Sequence, residues 1–346
     1  MGGVAIDAEG LVKTYVTSGK KGLLRSERRV VRALRGVSFK VRHGEVVGLL
    51  GPNGAGKTTT VKIVATLLIP DSGRVLVEGF DTVREAAQVR RRIGLMLSVE
   101  KGFYGKLTGR ENLMYFGALY GMSGEALRRR VDEVLDLLGL KGMGAGDRLF
   151  EEYSLGMKAR LSLARALLRD PPVLLLDEPT LGLDPPTARR IRALVRGLAH
   201  DEGKAILYTT HNMFEAELVC DRILLINKGR IVAEGTPQEL KSRIPAMRVL
   251  AVMVRGGEGE AAAVARVVEE HAGVTAEVKE VEPSLHEVRV RVRGRGEVIG
   301  DLIRSIASLG VDVVSLKVEE PTLEDVFIYF TTESTREETA EAAGGK

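Results

Sequence analysis

A chain that carries V-V-G-L-L-G-P-N-G-A-G-K-T-T-T, Val46 to Thr60, has few folds open to it. Val46–Leu50 is apolar and short enough for a buried strand. It ends in a loop where Gly51, Gly54 and Gly56 free the backbone from side chains, and Lys57, Thr58 and Thr59 then open a helix. The spacing is G-x-x-x-x-G-K-[ST]. In that pattern backbone N–H groups wrap a nucleotide's phosphates, the lysine reaches the β and γ groups, and the hydroxyl holds Mg²⁺. Gly51, Asn53, Gly54, Ala55, Gly56, Lys57, Thr58 and Thr59 are therefore the candidate nucleotide-binding residues, with Thr58 on the metal side. The plain alternative is a glycine-rich turn between a core strand and a helix.

The 346 residues are enough for two domains, and 44% hydrophobic with 28% charged residues is a globular composition. No apolar run approaches the roughly 18 residues that span a bilayer, and no signal-type N-terminus is present, so the chain is expected inside the cell. The single cysteine, Cys220, excludes an internal disulfide and multi-cysteine zinc patterns, and reads as a small core residue. A net charge of +4 does not mark a nucleic-acid binder, so no specific nucleic acid is expected.

Along the chain, strand and helix patterns alternate. Strands are expected at 4–17, Val37–Val41, Gly73–Phe80, Ile93–Leu97, Val173–Leu176 and Ala205–Thr210, with a hairpin at 223–233. Helices are expected from Lys57 to Pro70 and over 82–92, 107–121, 124–140 and 153–169, with a further one starting at Pro185. Such alternation implies a parallel sheet with its ligand at the carboxyl edge, where the phosphate loop, Asp177–Glu178 and His211 all fall. Lys20, Lys21, Arg25, Arg28, Arg29 and Arg32, with Leu23 and Leu24 among them, are expected to form a solvated loop, contact with lipid headgroups being the alternative. From 246 to 330 the order is βαββαβ, the split arrangement of ferredoxin-like domains. A short amphipathic helix is expected at 321–330 and a disordered tail at 331–346. The basic strand Arg289–Arg295 is expected to be half-buried with a solvated cationic face.

Four motifs stand in one order: the phosphate loop, Y-S-L-G-M at 153–157, L-L-L-D-E-P at 174–179 followed by L-G-L-D at 181–184, and T-T-H at 209–211. Together they resemble the ATP-binding subunit of ABC transporters, over residues 4 to about 245. P-T-L-E-D-V-F at 321–327 is similar to the small appended domain of the subgroup that powers export of drugs, antibiotics and surface polysaccharides. The resemblance implies an α/β fold: an ABC ATPase domain over 1–245, with a mixed-sheet core and a helical subdomain at about 98–170. A small α+β ferredoxin-like accessory domain would follow over 246–330. It also implies ATP hydrolysis with Mg²⁺ at the cytoplasmic face of the membrane, energising a separately encoded permease.

By the same resemblance, Asp177 holds Mg²⁺ through water, Glu178 is the general base, and His211 meets the γ-phosphate. Tyr15 stacks on adenine. Ser154 and Gly156 cap the ATP bound to a second copy of the subunit, and Asp184 cross-links the two sites, so the working form is a dimer. The chain departs from the family at Leu155 and Met157, where its signature usually reads L-S-G-G-Q. It departs again at Ser98, which stands after strand 93–97 where the family places a metal-sensing glutamine. Ser98 is the candidate third metal-side residue, with Glu100 as its alternative, and the nearby Gln88 lies in the preceding helix. A soluble ABC ATPase acting on ribosomes, nucleic acid or an assembly complex is the runner-up. A single phosphate loop and modest charge favour the exporter.

Overall fold

The structure is a computed structural model and describes residues 3–21, 25–97, 102–244, 247–272, 276–293, 296–319 and 321–332. Contacts divide the chain into two compact units, Met1–Pro237 and Gln238–Lys346.

The first unit opens with two long antiparallel strands, β1 (Val4–Lys21) and β2 (Arg25–Arg42), paired from Val4↔Arg42 to Lys21↔Arg25. The cationic stretch expected as a loop is therefore strand at both flanks. Thr14, Tyr15 and Val16 pair with Arg32, Val31 and Val30, and this β-branched and aromatic ladder carries the pairing outward. Leu23 and Leu24 lie outside the described residues.

Next come β3 (Val46–Leu50), α1 (Lys57–Val64), β4 (Ser72–Val77) and β5 (Phe80–Asp81). The hairpin, β4 and β5 form a four-stranded sheet in the order β2-β1-β4-β5. The next helix, α2 (Ala86–Arg92), starts later than the pattern from Thr82 predicts. The Asp81 carboxylate accepts the N–H groups of Val83 (2.9 Å) and Arg84 (3.0 Å), holding those residues in a turn.

The chain continues through β6 (Ile93–Met96), α3 (Gly109–Leu119), α4 (Gly124–Leu137), α5 (Leu155–Leu167), β7 (Val173–Asp177) and α6 (Pro185–His200). After these come β8 (Ala205–Thr210), α7 (Met213–Val219), β9 (Arg222–Asn227) and β10 (Arg230–Gly235). The second sheet has six strands in the order β10-β9-β3-β8-β7-β6, all parallel except the edge strand β10. Strands β3, β7 and β8 are buried along their whole length, which explains the apolar runs V-V-G-L-L of β3, V-L-L-L of β7 and A-I-L at the start of β8. Because β8 lies between β3 and β7, in register Leu50↔Thr210 and Asp177↔Thr209, three strand ends finish at one level.

Helices α3, α4 and α5 form the helical part of the unit. Thr108 and Glu111 close a capping box on α3, and Leu127, Val131, Val134 and Leu135 make the buried stripe of α4. Phe103 stacks on Phe150 at 4.8 Å, and the Arg165 guanidinium lies 4.6 Å from the Phe103 ring.

The next helix, α8 (Pro237–Arg243), starts at the last residue of the first unit, and the second unit continues with β11 (Met247–Arg255), α9 (Glu258–Ala272), β12 (Glu277–Glu282), β13 (Leu285–Arg293), α10 (Gly296–Ser308) and β14 (Asp312–Glu319). The sheet order β12-β13-β11-β14, antiparallel throughout, is the ferredoxin-like topology. Its own core joins Leu250, Val252, Val254 and Val288 to Val264, Val268, Leu302 and Ile306 from the two helices. A helix covers 323–332 and buries Leu323 and Val326, so residues 331 and 332, expected in the tail, belong to it; residues 333–346 lie outside the described residues.

Candidate active site

The phosphate loop joins β3 to α1, and at Gly51 and Gly56 it has no room for side chains. A Cβ on Gly51 would stand 2.1 Å from the Ile226 carbonyl oxygen, and one on Gly56 2.7 Å from that of Ala33. Gly56 also has φ +113°, a left-handed conformation that glycine adopts without strain. Lys57, the first residue of α1, is 4% exposed. Its ammonium donates to the carbonyls of Gly51 (2.7 Å) and Pro52 (3.2 Å), which closes the loop on itself.

The neighbouring strand ends bring carboxylates to this cation. Glu178 Oε1 lies 3.4 Å from Lys57 Nζ, and His211 Nδ1 lies 2.8 Å from Glu178 Oε2. Asp177, at the end of β7, accepts hydroxyl protons from Thr58 (2.9 Å) and Thr209 (2.5 Å), one on each oxygen. Glu178 itself is held at φ +50°, unusual for a residue with a side chain, while its N–H donates to both the carbonyl and hydroxyl oxygens of Thr209 at 3.1 Å. Lys57, Thr58, Asp177, Glu178 and His211 thus form one cluster. Thr209, inside the T-T-H motif, belongs to it as well; sequence reasoning gave it no role because only the β7–β8 register brings it to Asp177.

A hydroxyl and a carboxylate oxygen within 2.9 Å of each other are the hard donors that Mg²⁺ takes, so Thr58 and Asp177 fit that ion. Ser98 and Glu100 lie outside the described residues. Tyr15, on β1, is half-buried with its hydroxyl 3.4 Å from that of Thr59, at the start of α1.

Ser154, Gly156 and Asp184 form a second cluster. Ser154 caps α5, its hydroxyl accepting the Met157 N–H at 3.3 Å, and Asp184 caps α6, accepting the Thr187 N–H at 3.1 Å. The hydrogen bonds from Thr187 hold the Asp184 carboxyl below its ordinary range, so it is ionised at neutral pH. A Cβ on Gly156 would lie 3.1 Å from Thr187 Cγ2 and one on Gly182 3.0 Å from Leu155 Cδ2, so the two caps pack against one another. Tyr153 anchors this turn: its hydroxyl donates to the Ala145 carbonyl, and burial pushes its pKa up to about 12.

Residues 34–181 match the family described as ABC transporter, and residues 235–331 match the C-terminal domain of DrrA1-3-like ATP-binding proteins. The daunorubicin resistance ATP-binding protein DrrA3 of Streptomyces coeruleorubidus is 37% identical over 97% of this chain and 98% of its own length. The chain belongs to the ATP-binding subunits of ABC transporters. The linearmycin resistance ATP-binding protein LnrL of Bacillus subtilis is 34% identical to this ABC subunit over 96% of the chain and 100% of its own length. Among solved structures, the ATP-binding cassette MJ0796, dimeric and bound to ADP and Pi, is 28% identical with a TM-score of 0.58. That match covers 67% of this chain and 98% of the cassette. The ABC subunit is an ATPase of the transport-energising kind, and its relatives are transport and resistance proteins, which gives no support to the ribosome or nucleic-acid reading. Among the described residues no helix is long and apolar enough to cross a membrane.

Proposed function

We propose that this subunit hydrolyses ATP as one of two copies closing face to face, and that it drives export of drug-like molecules through a separately encoded permease at the cytoplasmic face of the membrane. The convergence of Lys57, Asp177, Glu178 and His211 at one sheet edge carries the reading. Lys57 and the N–H groups of residues 51–59 bind the phosphates, with Asn53 and Ala55 contributing main chain. Tyr15 stacks on the base. Mg²⁺ held by Thr58 and Asp177 would offset the charge of the β and γ phosphates.

Glu178 takes a proton from the water that attacks the γ-phosphorus as the bond to ADP breaks. His211, fixed on Glu178 through Nδ1, keeps the carboxylate oriented and has Nε2 left for the γ-phosphate. Ser154 and the Gly156 N–H, at the N-terminus of α5, suit the γ-phosphate of the other copy's ATP, where the helix dipole favours an anion. Asp184 lies beside them for contact across the dimer. The dimeric state of the solved cassette supports this arrangement. The daunorubicin and linearmycin resistance of the relatives supports a drug-like cargo. Affinity capture of the tagged chain from its native membranes with ATP tests the partner. Recovery of a multi-span membrane protein in near-equal amount is expected, and recovery of ribosomal partners alone would overturn the export reading.

A further inference from the structure

Besides the β7–β8 ladder, the Thr209–Asp177 bond and the His211–Glu178 contact, two further ties join the segments that carry Glu178 and His211. The first tie is the pair of bonds from the Glu178 N–H to Thr209. The second runs through a side chain four residues beyond His211. Glu215, in the first turn of α7, is 6% exposed. Its Oε1 accepts the hydroxyls of Thr180 and of Tyr208 (2.9 Å), and its Oε2 accepts that of Thr210 (2.9 Å). Arg192 Nη1 stands 3.8 Å from Oε1. Thr180 lies two residues after Glu178, and Thr210 immediately precedes His211. The bridge continues into the helix start, where the Asn212 N–H donates to the Thr210 hydroxyl at 3.0 Å and the Asn212 side chain accepts the Glu215 N–H at 3.0 Å.

A carboxylate this buried is costly unless its oxygens are answered. Here the answering donors come from both catalytic segments. Tyr208 stays a donor, because burial and the facing Glu215 carboxylate hold its pKa well above the ordinary value. Glu178, meanwhile, sits at φ +50°, a conformation that persists only where surrounding structure holds it. The Thr180–Glu215–Thr210 bridge spans the residues just beyond it.

We propose that Glu215 is a positioning residue for hydrolysis: by clamping Thr180 to Thr210 it holds the Glu178 backbone and keeps His211 Nδ1 at 2.8 Å from the Glu178 carboxylate. The inference rests on Glu178 acting as the base. It goes beyond that reading in assigning a role to a residue that touches neither water nor phosphate.

Steady-state ATPase kinetics on the full chain test it. Glu215→Ala should lower kcat by about 10- to 100-fold while KM for ATP stays within about threefold, the pattern of a misplaced reacting group. Glu215→Gln keeps an acceptor for Thr180 and Tyr208 and should recover most of kcat. Should Glu215→Ala fail to fold, Thr180→Val, which removes one donor, carries the test: kcat should fall by about 3- to 10-fold with KM unmoved. In a Glu178→Gln background, Glu215→Ala should add no further loss to the residual turnover, since both changes act through one group. A fully additive loss, a change confined to KM, or wild-type kcat in Thr180→Val would overturn the positioning role. Fast turnover by Glu178→Gln alone would overturn the base assignment instead, so the two failures are distinct.

Discussion

The two clusters of the ATPase unit are finished to different degrees. Around the phosphate loop, side chains from separate strands answer one another: Lys57 meets Glu178, Glu178 meets His211, and Asp177 takes the hydroxyls of Thr58 and Thr209. Around Ser154 and Asp184, the side-chain bonds go to the first turn of the helix each residue caps. Both residues are exposed. The first cluster is an interlocked set, which we propose as catalytic, and the second is a presented surface whose two helix ends suit an anion or a second subunit. Hydrolysis in this account needs both, one from each copy.

The largest effect expected from breaking the first cluster is that of Glu178→Gln. Loss of the base should reduce kcat by about 100-fold or more while ATP still binds, read by phosphate release and by nucleotide titration. Lys57→Ala breaks the cluster at its binding end. Losing a charge-assisted contact to phosphate should weaken ATP affinity by about 10- to 100-fold. The second cluster should answer more mildly and differently. Ser154→Ala should leave nucleotide binding by the single chain unchanged and lower kcat by about 10-fold, because in the proposed closed pair that hydroxyl meets the other copy's ATP. An equal loss of single-chain ATP affinity would remove the distinction between the clusters.

The smallest effect lies outside both clusters, at Asp81. Asp81 is buried, which raises its pKa, but the N–H groups of Arg84 and Val83 and the Arg74 guanidinium outweigh this and lower it. A carboxyl whose folded pKa is depressed adds stability above its unfolded value, near 3.9, and loses it as pH falls through the lower folded value. Asp81→Asn should therefore cost about 1 kcal/mol at pH 7, the gap to the wild type closing below about pH 4, while kcat is unchanged. Urea unfolding at several pH values measures this.

Much of the first cluster was legible in the sequence because its residues end strands whose burial shows as unbroken apolar runs, V-V-G-L-L and V-L-L-L. Once three strand ends are known to share an edge, Gly51, Glu178 and His211 must meet. The βαββαβ order of the second unit was legible for the same reason, since period-2 and period-3.6 patterns alternate there without ambiguity. What could not be read was pairing between remote side chains. Thr209 and Glu215 look like ordinary strand and helix residues until the β7–β8 register sets them against Asp177 and Thr180. The cationic hairpin was mistaken for a loop because lysines and arginines obscure the alternation of a two-stranded ribbon. The ladder from Tyr15↔Val31 to Lys21↔Arg25 is set by pairing rather than composition.

Light scattering coupled to size exclusion on Glu178→Gln, with and without Mg²⁺-ATP, tests the central claim most directly. A monomer is expected without nucleotide and a dimer of twice the mass with it, shifted back toward monomer when Ser154 is changed to Ala in the same background. A protein that binds Mg²⁺-ATP yet stays monomeric would contradict it.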